Sequence, residues 1–282
     1  MKPMSIIVFA AIISTSIIYL IVPGNENKKI PEEENVISNK IFIQRETLWP
    51  VEETIAKEEL AGEDRRIEPA ELPSGTILSK NQLEALDSNN LFYQQEISEA
   101  LFQRIYGKSF KENCTVPRED LVYIRVLYYG FDEETHIGEL ISNRNISKDL
   151  IEIFNQLYTN EYPIEKMVLI DDYDADDERS MADNNTSCFN FRKISGSTSL
   201  SKHSMGYAVD INPLYNPYIR TMDGKEICEP ENGMAYMDRV QNFPYKIDES
   251  DLCCRLFKQY GFAWGGDWNS VKDYQHFEKI VH

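Results

Sequence analysis

Ser201-Lys202-His203-Ser204-Met205-Gly206-Tyr207-Ala208-Val209-Asp210-Ile211-Asn212-Pro213 places a histidine and an aspartate seven positions apart. On a straight strand two such residues would lie about 23 Å apart and on opposite faces. For both to serve one centre the chain must bend between them, and Gly206 is the residue best suited to bend. Tyr207 to Ile211 then reads as a strand, with Val209 and Ile211 facing one way and Ala208 and Asp210 the other. An aspartate between those two apolar residues is expected to be at least partly buried, and a buried carboxylate must be paired or bound to a metal. An arginine partner or a loop cap would satisfy an isolated aspartate equally well, so a second segment has to decide.

That segment is Gly261-Phe262-Ala263-Trp264-Gly265-Gly266-Asp267-Trp268, followed by Asp273-Tyr274-Gln275-His276-Phe277-Glu278. It supplies another histidine with an acid three residues earlier, in a chain that has only four histidines. His136, in Glu-Thr-His-Ile-Gly, and His282, at the chain end, read as structural residues. Two histidines and one carboxylate, here His203, Asp210 and His276, are a ligand set for catalytic zinc that leaves a fourth position for water. The metal brings the pKa of that water to about 7, so hydroxide attacks a peptide carbonyl without a protein nucleophile. Asp273 is the general base nearest in sequence to a ligand. Arg192, in Phe189-Asn190-Phe191-Arg192, is placed either to stabilise charge on the carbonyl oxygen or to grip a substrate carboxylate. On spacing alone it reads equally as a surface or ion-pair arginine.

Outward from these segments, Asp120 to Phe131 and Ile164 to Ile170 read as apolar strands. Leu83 to Ile105 reads as a helix or helix pair. Ile146, Leu150, Ile153, Phe154 and Leu157 recur at helical spacing, with Ser147 placed to cap, and Asp251 to Tyr260 is a further helix ending at Gly261. Helices and short strands separated by long loops indicate an α+β domain over residues 80–282. Residues 24–79, rich in Glu, Lys and Pro, read as an acidic stalk. Residues 1–23 contain an uncharged, almost wholly apolar run of nineteen, Met4 to Val22, behind Lys2. That pattern suits an uncleaved membrane anchor or a signal peptide, and either puts the rest of the chain outside the cytoplasm. The net charge of −18 argues against nucleic acid as a partner, since that binding needs clustered Lys and Arg. Five cysteines without a C-x-x-C pair give no thiolate zinc site; outside the cytoplasm disulfides are possible, and the odd count leaves at least one thiol over.

Ser201-x-His203-x-x-Gly206-x-Ala208-x-Asp210 with Asp273-x-x-His276 resembles the signature of the D-alanyl-D-alanine carboxypeptidase family of zinc peptidases. That family takes in vancomycin-resistance dipeptidases and carboxypeptidases and phage L-alanyl-D-glutamate endopeptidases. The resemblance runs from Leu121 to Glu278, including Tyr162-Pro163-Ile164, Asn184-Asn185-Thr186-Ser187 and Asn216-Pro217-Tyr218. It implies a small antiparallel sheet with flanking helices, the zinc fold shared with hedgehog domains, and one zinc ion held by His203, Asp210 and His276. It places Arg192 towards the substrate, with Ser201 as a second substrate-binding candidate, and Asp273 where many members carry a glutamate base. The implied partner is the peptidoglycan stem peptide, cut at terminal D-Ala or between L-Ala and D-Glu. A wall-binding module that keeps the fold without catalysis is the competing class, and a hedgehog-like signalling domain a third.

Overall fold

The computed structural model describes residues 72–86 and 91–280. The apolar run Met4 to Val22, most of the stalk and His282 lie outside the described residues, and among the described residues no helix is long and apolar enough to cross a membrane.

Among the described residues, ten short strands and five α-helices follow one another. They are β1 (Ile77–Leu78), α1 (Lys80–Leu86), β2 (Tyr93–Glu96), α2 (Glu99–Ile105), β3 (Leu121–Tyr129), β4 (Thr135–Asn143), α3 (Arg144–Thr159) and α4 (Asp177–Ala182). Then come β5 (Ala208–Asp210), β6 (Tyr218–Met222), β7 (Lys225–Glu229), α5 (Leu252–Gln259), β8 (Ala263–Trp264), β9 (Lys272–Asp273) and β10 (His276–Glu278). The fold is α+β, but the single sheet expected is three antiparallel ones, in the orders β1-β4-β3-β2, β5-β10-β8 and β7-β6-β9.

β3 is buried along nearly its whole length because both of its faces are covered. Val122, Ile124, Val126 and Tyr128 share a core with Ile146, Leu150, Ile153, Phe154 and Leu157 of α3. Leu121 and Tyr123, on the other face, pack with Leu169, Phe189 and Phe191. Period two on the strand thus meets period 3.6 on the helix. α5 is capped by Asp251, whose side chain accepts from the Cys253 and Cys254 amides. Its Phe257 stacks on Phe277 of β10 at 4.3 Å and meets Phe154 of α3 edge-on at 6.5 Å, tying the site-bearing strand to the main core.

Long-range pairing overrides the local reading in several places. The span Leu83 to Ile105 is two helices parted by β2, because Tyr93–Glu96 pairs with Arg125–Val122 of β3. Ile164 to Ile170 forms no ladder; an isolated bridge, Lys166↔Asn185, and single backbone bonds such as that from the Glu139 amide to the Met167 carbonyl hold it before it turns into a 3-10 helix at Ile170–Tyr173. Asn143, not Ser147, caps α3, and Ser147 is buried with its hydroxyl on the Arg144 carbonyl at 2.9 Å. The folded unit also takes in residues ahead of 80, since β1 pairs with β4 and the Ser74 hydroxyl donates to Glu139 at 2.6 Å. β6 and β7 form a hairpin closed by Asp223-Gly224, whose φ of 52° and 74° are those of the type I′ turn this residue pair favours. None of the five cysteines is in a disulfide, and Cys188, Cys253 and Cys254 are buried as small apolar groups.

Candidate metal centre

The bend between His203 and Asp210 is built from three local devices. The Ser201 hydroxyl accepts from the His203 amide and caps a 3-10 helix, Lys202–Met205. Gly206 closes that turn at φ 69°, where a Cβ would sit 2.5 Å from the Asn143 nitrogen, so only glycine fits without displacing the start of α3. Asn143 then holds the turn from both sides, its amide donating to the Gly206 carbonyl at 2.9 Å and its side chain to the Met205 carbonyl at 3.2 Å. Beyond the turn β5 pairs with β10 in a register that sets Asp210 directly opposite His276, while Val209 and Phe277 enter the core. Directly opposed residues present their side chains on the same face.

His203, Asp210 and His276 each offer one ligand atom, and these atoms lie within 4.8 Å of one another. His203 Nε2 is 3.2 Å from His276 Nδ1 and 3.1 Å from Asp210 Oδ2, and His276 Nδ1 is 3.0 Å from Asp210 Oδ1. Hydrogen bonds on the outer sides of both rings set which nitrogen faces inward. His203 Nδ1 lies 2.6 Å from the Cys188 carbonyl, which can only accept, so Nδ1 carries the proton and Nε2 presents a lone pair. His276 Nε2 lies 3.2 Å from Glu278 Oε2, which turns the lone pair of Nδ1 to the same point. Tetrahedral zinc ligation with N–metal distances of roughly 2.0–2.1 Å places two nitrogens about 3.3 Å apart. The observed separation therefore suits a small divalent cation, and the donor set fits one.

The electrostatics lean the same way. Burial pulls the His276 imidazole down, but the Asp210, Glu278 and Asp273 carboxylates outweigh it and lift its pKa to about 10. Burial pushes Asp210 up, and His203 and His276 outweigh that and hold it well below the usual carboxylate range. The cluster thus calls for positive charge, which a proton on His276 or a metal cation supplies.

A cavity of about 460 Å³ opens over the cluster and is lined also by Arg192, Ser201, Trp268, Asp273, Gln275 and Glu278. Asp273 Oδ2 is 4.0 Å from His276 Nδ1, and burial raises its pKa to about 7, with His276 pulling against that rise. Its place at the strand end requires Gly265, where a Cβ would come within 2.5 Å of the Asp273 carbonyl oxygen. Arg192 reaches the cavity, but its Nε is paired with Asp177 of α4, so its charge is partly neutralised by an acid that the sequence did not flag. Ser201 also lines the cavity; with its oxygen already accepting from His203, its first role is to hold the ligand turn.

Residues 195–279 match the family model described as D-alanyl-D-alanine carboxypeptidase. This segment is similar to that family of peptidases. The carboxypeptidase-family match takes in Ser201, His203, Asp210, Asp273 and His276, and stops short of Arg192. No solved structure matches the chain.

Two contributors have no place in the sequence reading. Glu278 stands two residues after His276 on the same strand, and period two alone would have put it on the ligand's face. Asp177 is remote from the motifs and is brought in only by α4, where the sequence carries no mark of it. His136 sits apart from the metal cluster, bonded to Asp132 at 2.8 Å and stacked on Tyr128.

Proposed function

We propose that this chain is a zinc-dependent peptidase that hydrolyses the D-amino-acid-containing stem peptide of peptidoglycan. The observation that carries the reading is the convergence of two imidazole lone pairs and the Asp210 carboxylate at one point, under a cavity that also holds Asp273 and Arg192. His203, Asp210 and His276 would hold the ion, and bound zinc would polarise the scissile carbonyl and acidify a water. Asp273, with one oxygen unpaired and a pKa near 7, takes a proton from the attacking water and passes it to the leaving amine as the C–N bond breaks and the C–O bond forms. Arg192 donates to the carbonyl oxygen or to a substrate carboxylate from the guanidinium edge that Asp177 leaves open. Ser201 fixes the His203 turn and keeps its hydroxyl proton for the substrate.

Removal of terminal D-Ala is the finer reading, supported by the carboxypeptidase description of the matching family. Cutting between L-Ala and D-Glu is the second; the Arg192–Asp177 pair favours it, because a neutralised arginine grips a terminal carboxylate less well. Lys2 ahead of the apolar run Met4 to Val22 supports a membrane-anchored chain with this domain outside the cytoplasm, where its substrate lies. The test is to purify the full chain, measure bound zinc, and assay a stem pentapeptide with and without a chelator, reading the products by mass spectrometry. Stoichiometric zinc with chelator-sensitive cleavage supports the reading. Zinc without any cut favours a wall-binding module, and absence of both metal and cleavage overturns it.

A further inference from the structure

Of the carboxylates that line the cavity, Asp210 and Glu278 build the metal centre, Asp177 pairs with Arg192, and Asp273 is the base of the proposed reaction. Glu229 lines the same cavity and has no part in that reaction. Its place is set by strand register: Tyr218 of β6 lies opposite Asp273 of β9 on one side and opposite Glu229 of β7 on the other. Directly opposed residues share a face, so Asp273, Tyr218 and Glu229 form one row across the sheet, and all three line the cavity. With neighbouring strands about 4.8 Å apart, the row carries Glu229 about 10 Å from the base. Arg220 and the Ser195 hydroxyl both donate to Glu229 Oε1, at 3.0 and 2.9 Å, and so hold the carboxylate in place. Its Oε2 takes no hydrogen bond among the described residues, and the side chain is 23 % exposed. The hairpin that carries Ser195 is closed by the Lys193↔Leu200 bridge and leads straight into the metal turn at Ser201. It brings Ile194 and Leu200 to the cavity, each 43 % exposed.

We infer that Glu229 is a specificity-determining residue that takes the ammonium of a lysine-type side chain of the peptide, an inference that rests on the hydrolytic reading of the same cavity. Two features select that side chain. Ile194 and Leu200 call for an aliphatic stem to cover them, and an open carboxylate oxygen calls for a cation that donates a hydrogen bond. A primary ammonium on a four-carbon stem meets both demands. A purely aliphatic side chain would cover the apolar residues and leave Glu229 unanswered, and an acidic one would be repelled. The span of about 10 Å from Asp273 suits a residue one or two places from the cut bond, since each extended residue covers about 3.3–3.6 Å and the side chain spans the rest. Glu229 meets no reacting atom; it selects the peptide by how tightly it is held.

The test uses the full chain loaded with zinc and two stem pentapeptides that differ at one atom group, one carrying lysine and the other Nε-acetyl-lysine, which keeps the stem and removes the charge. Wild type is expected to prefer the lysine peptide by about tenfold in kcat/KM, mainly through KM. Glu229→Gln keeps the shape and an acceptor for Ser195 and Arg220, and should cut that preference to within about twofold by losing on the lysine peptide, with zinc content and Tm unchanged. Equal cleavage of the two peptides by wild type overturns the inference and leaves the hydrolytic reading standing. An equal loss on both peptides in the variant assigns Glu229 a structural role and overturns the inference as well. A second measurement needs neither turnover nor the variant: binding of the two peptides to chelator-treated wild type, followed by tryptophan fluorescence. A preference of about tenfold for the lysine peptide supports the inference, and equal affinity or no binding of either peptide overturns it. Binding with that preference, but without cleavage by the zinc-loaded chain, would overturn the hydrolytic reading while leaving this contact in place.

Discussion

Replacing Glu278 by glutamine tests whether the orientation of His276, and not only its presence, makes the metal centre. Glu278 Oε2 lies 3.2 Å from His276 Nε2, with side-chain exposures of 19 % and 7 %, so solvent screens the contact little. The bond is charge-assisted, and such bonds contribute about 1.5–3 kcal/mol against about 0.5–1.5 kcal/mol for neutral ones. Glutamine keeps the shape and one acceptor but loses the charge, so the expected cost is about 1.4 kcal/mol, or roughly tenfold in zinc affinity. Alanine leaves Nε2–H without that partner and frees the ring to change tautomer, and the loss should approach about a hundredfold. Competition with a chromogenic chelator at constant pH measures both variants. Hydrolysis at limiting zinc should fall in step and recover when zinc is in excess. A zinc affinity for both variants within about twofold of wild type would refute the idea that Glu278 sets the ligand face of His276.

Asp273→Asn should lower kcat by about 10²- to 10⁴-fold while zinc remains stoichiometric, since the residue lies beside the ligands and is not one of them; metal analysis with steady-state kinetics checks this, and unaltered hydrolysis would remove Asp273 from the base role. Gly206→Ala should destabilise the domain by at least about 2 kcal/mol in urea unfolding and weaken zinc binding with it, because the backbone is left-handed there and a Cβ would meet the Asn143 nitrogen at 2.5 Å. A variant with unchanged urea midpoint and zinc affinity would show that the turn can shift without moving His203. Asp171 supplies a pH test away from the metal: burial raises its pKa to about 6 although Ser109 donates to it twice. A raised carboxyl pKa means the folded state holds its proton longer than the unfolded one, so the stability this group allows is full below about pH 4. As pH rises to about 6, some 3 kcal/mol of it is lost. Asp171→Asn should therefore gain on wild type by up to that amount between pH 4 and pH 7 in urea midpoints, and a difference that does not vary with pH would contradict it.

Residues that announce themselves by local chemistry were legible in the sequence. β3 is visible as a long apolar run rich in Val, Ile, Leu and Tyr, and α3 by an apolar spacing of 3.6 that runs long enough to exceed chance. Asp251 and Gly261 mark the ends of α5 by cap chemistry alone. The tertiary pairings were not legible: β2 looked helical because its four residues carry little strand preference of their own and become a strand only against β3.

The sequence by itself determined which side chains are the candidates for ligands and base, because His203, Asp210, Asp273 and His276 are chemically distinctive and sit in short motifs. It also determined that Gly206 must bend the chain, since a positive φ is a property of one residue. Only the tertiary structure decided that Asp210 faces His276 across β5 and β10, that Glu278 and the Cys188 carbonyl turn both imidazoles inward, and that Asp177 shares Arg192. The difference is physical: local conformation depends on neighbours in the chain, whereas a lone pair is aimed by hydrogen bonds from residues 2 to 66 positions away, and those form only when the sheets and helices close on one another.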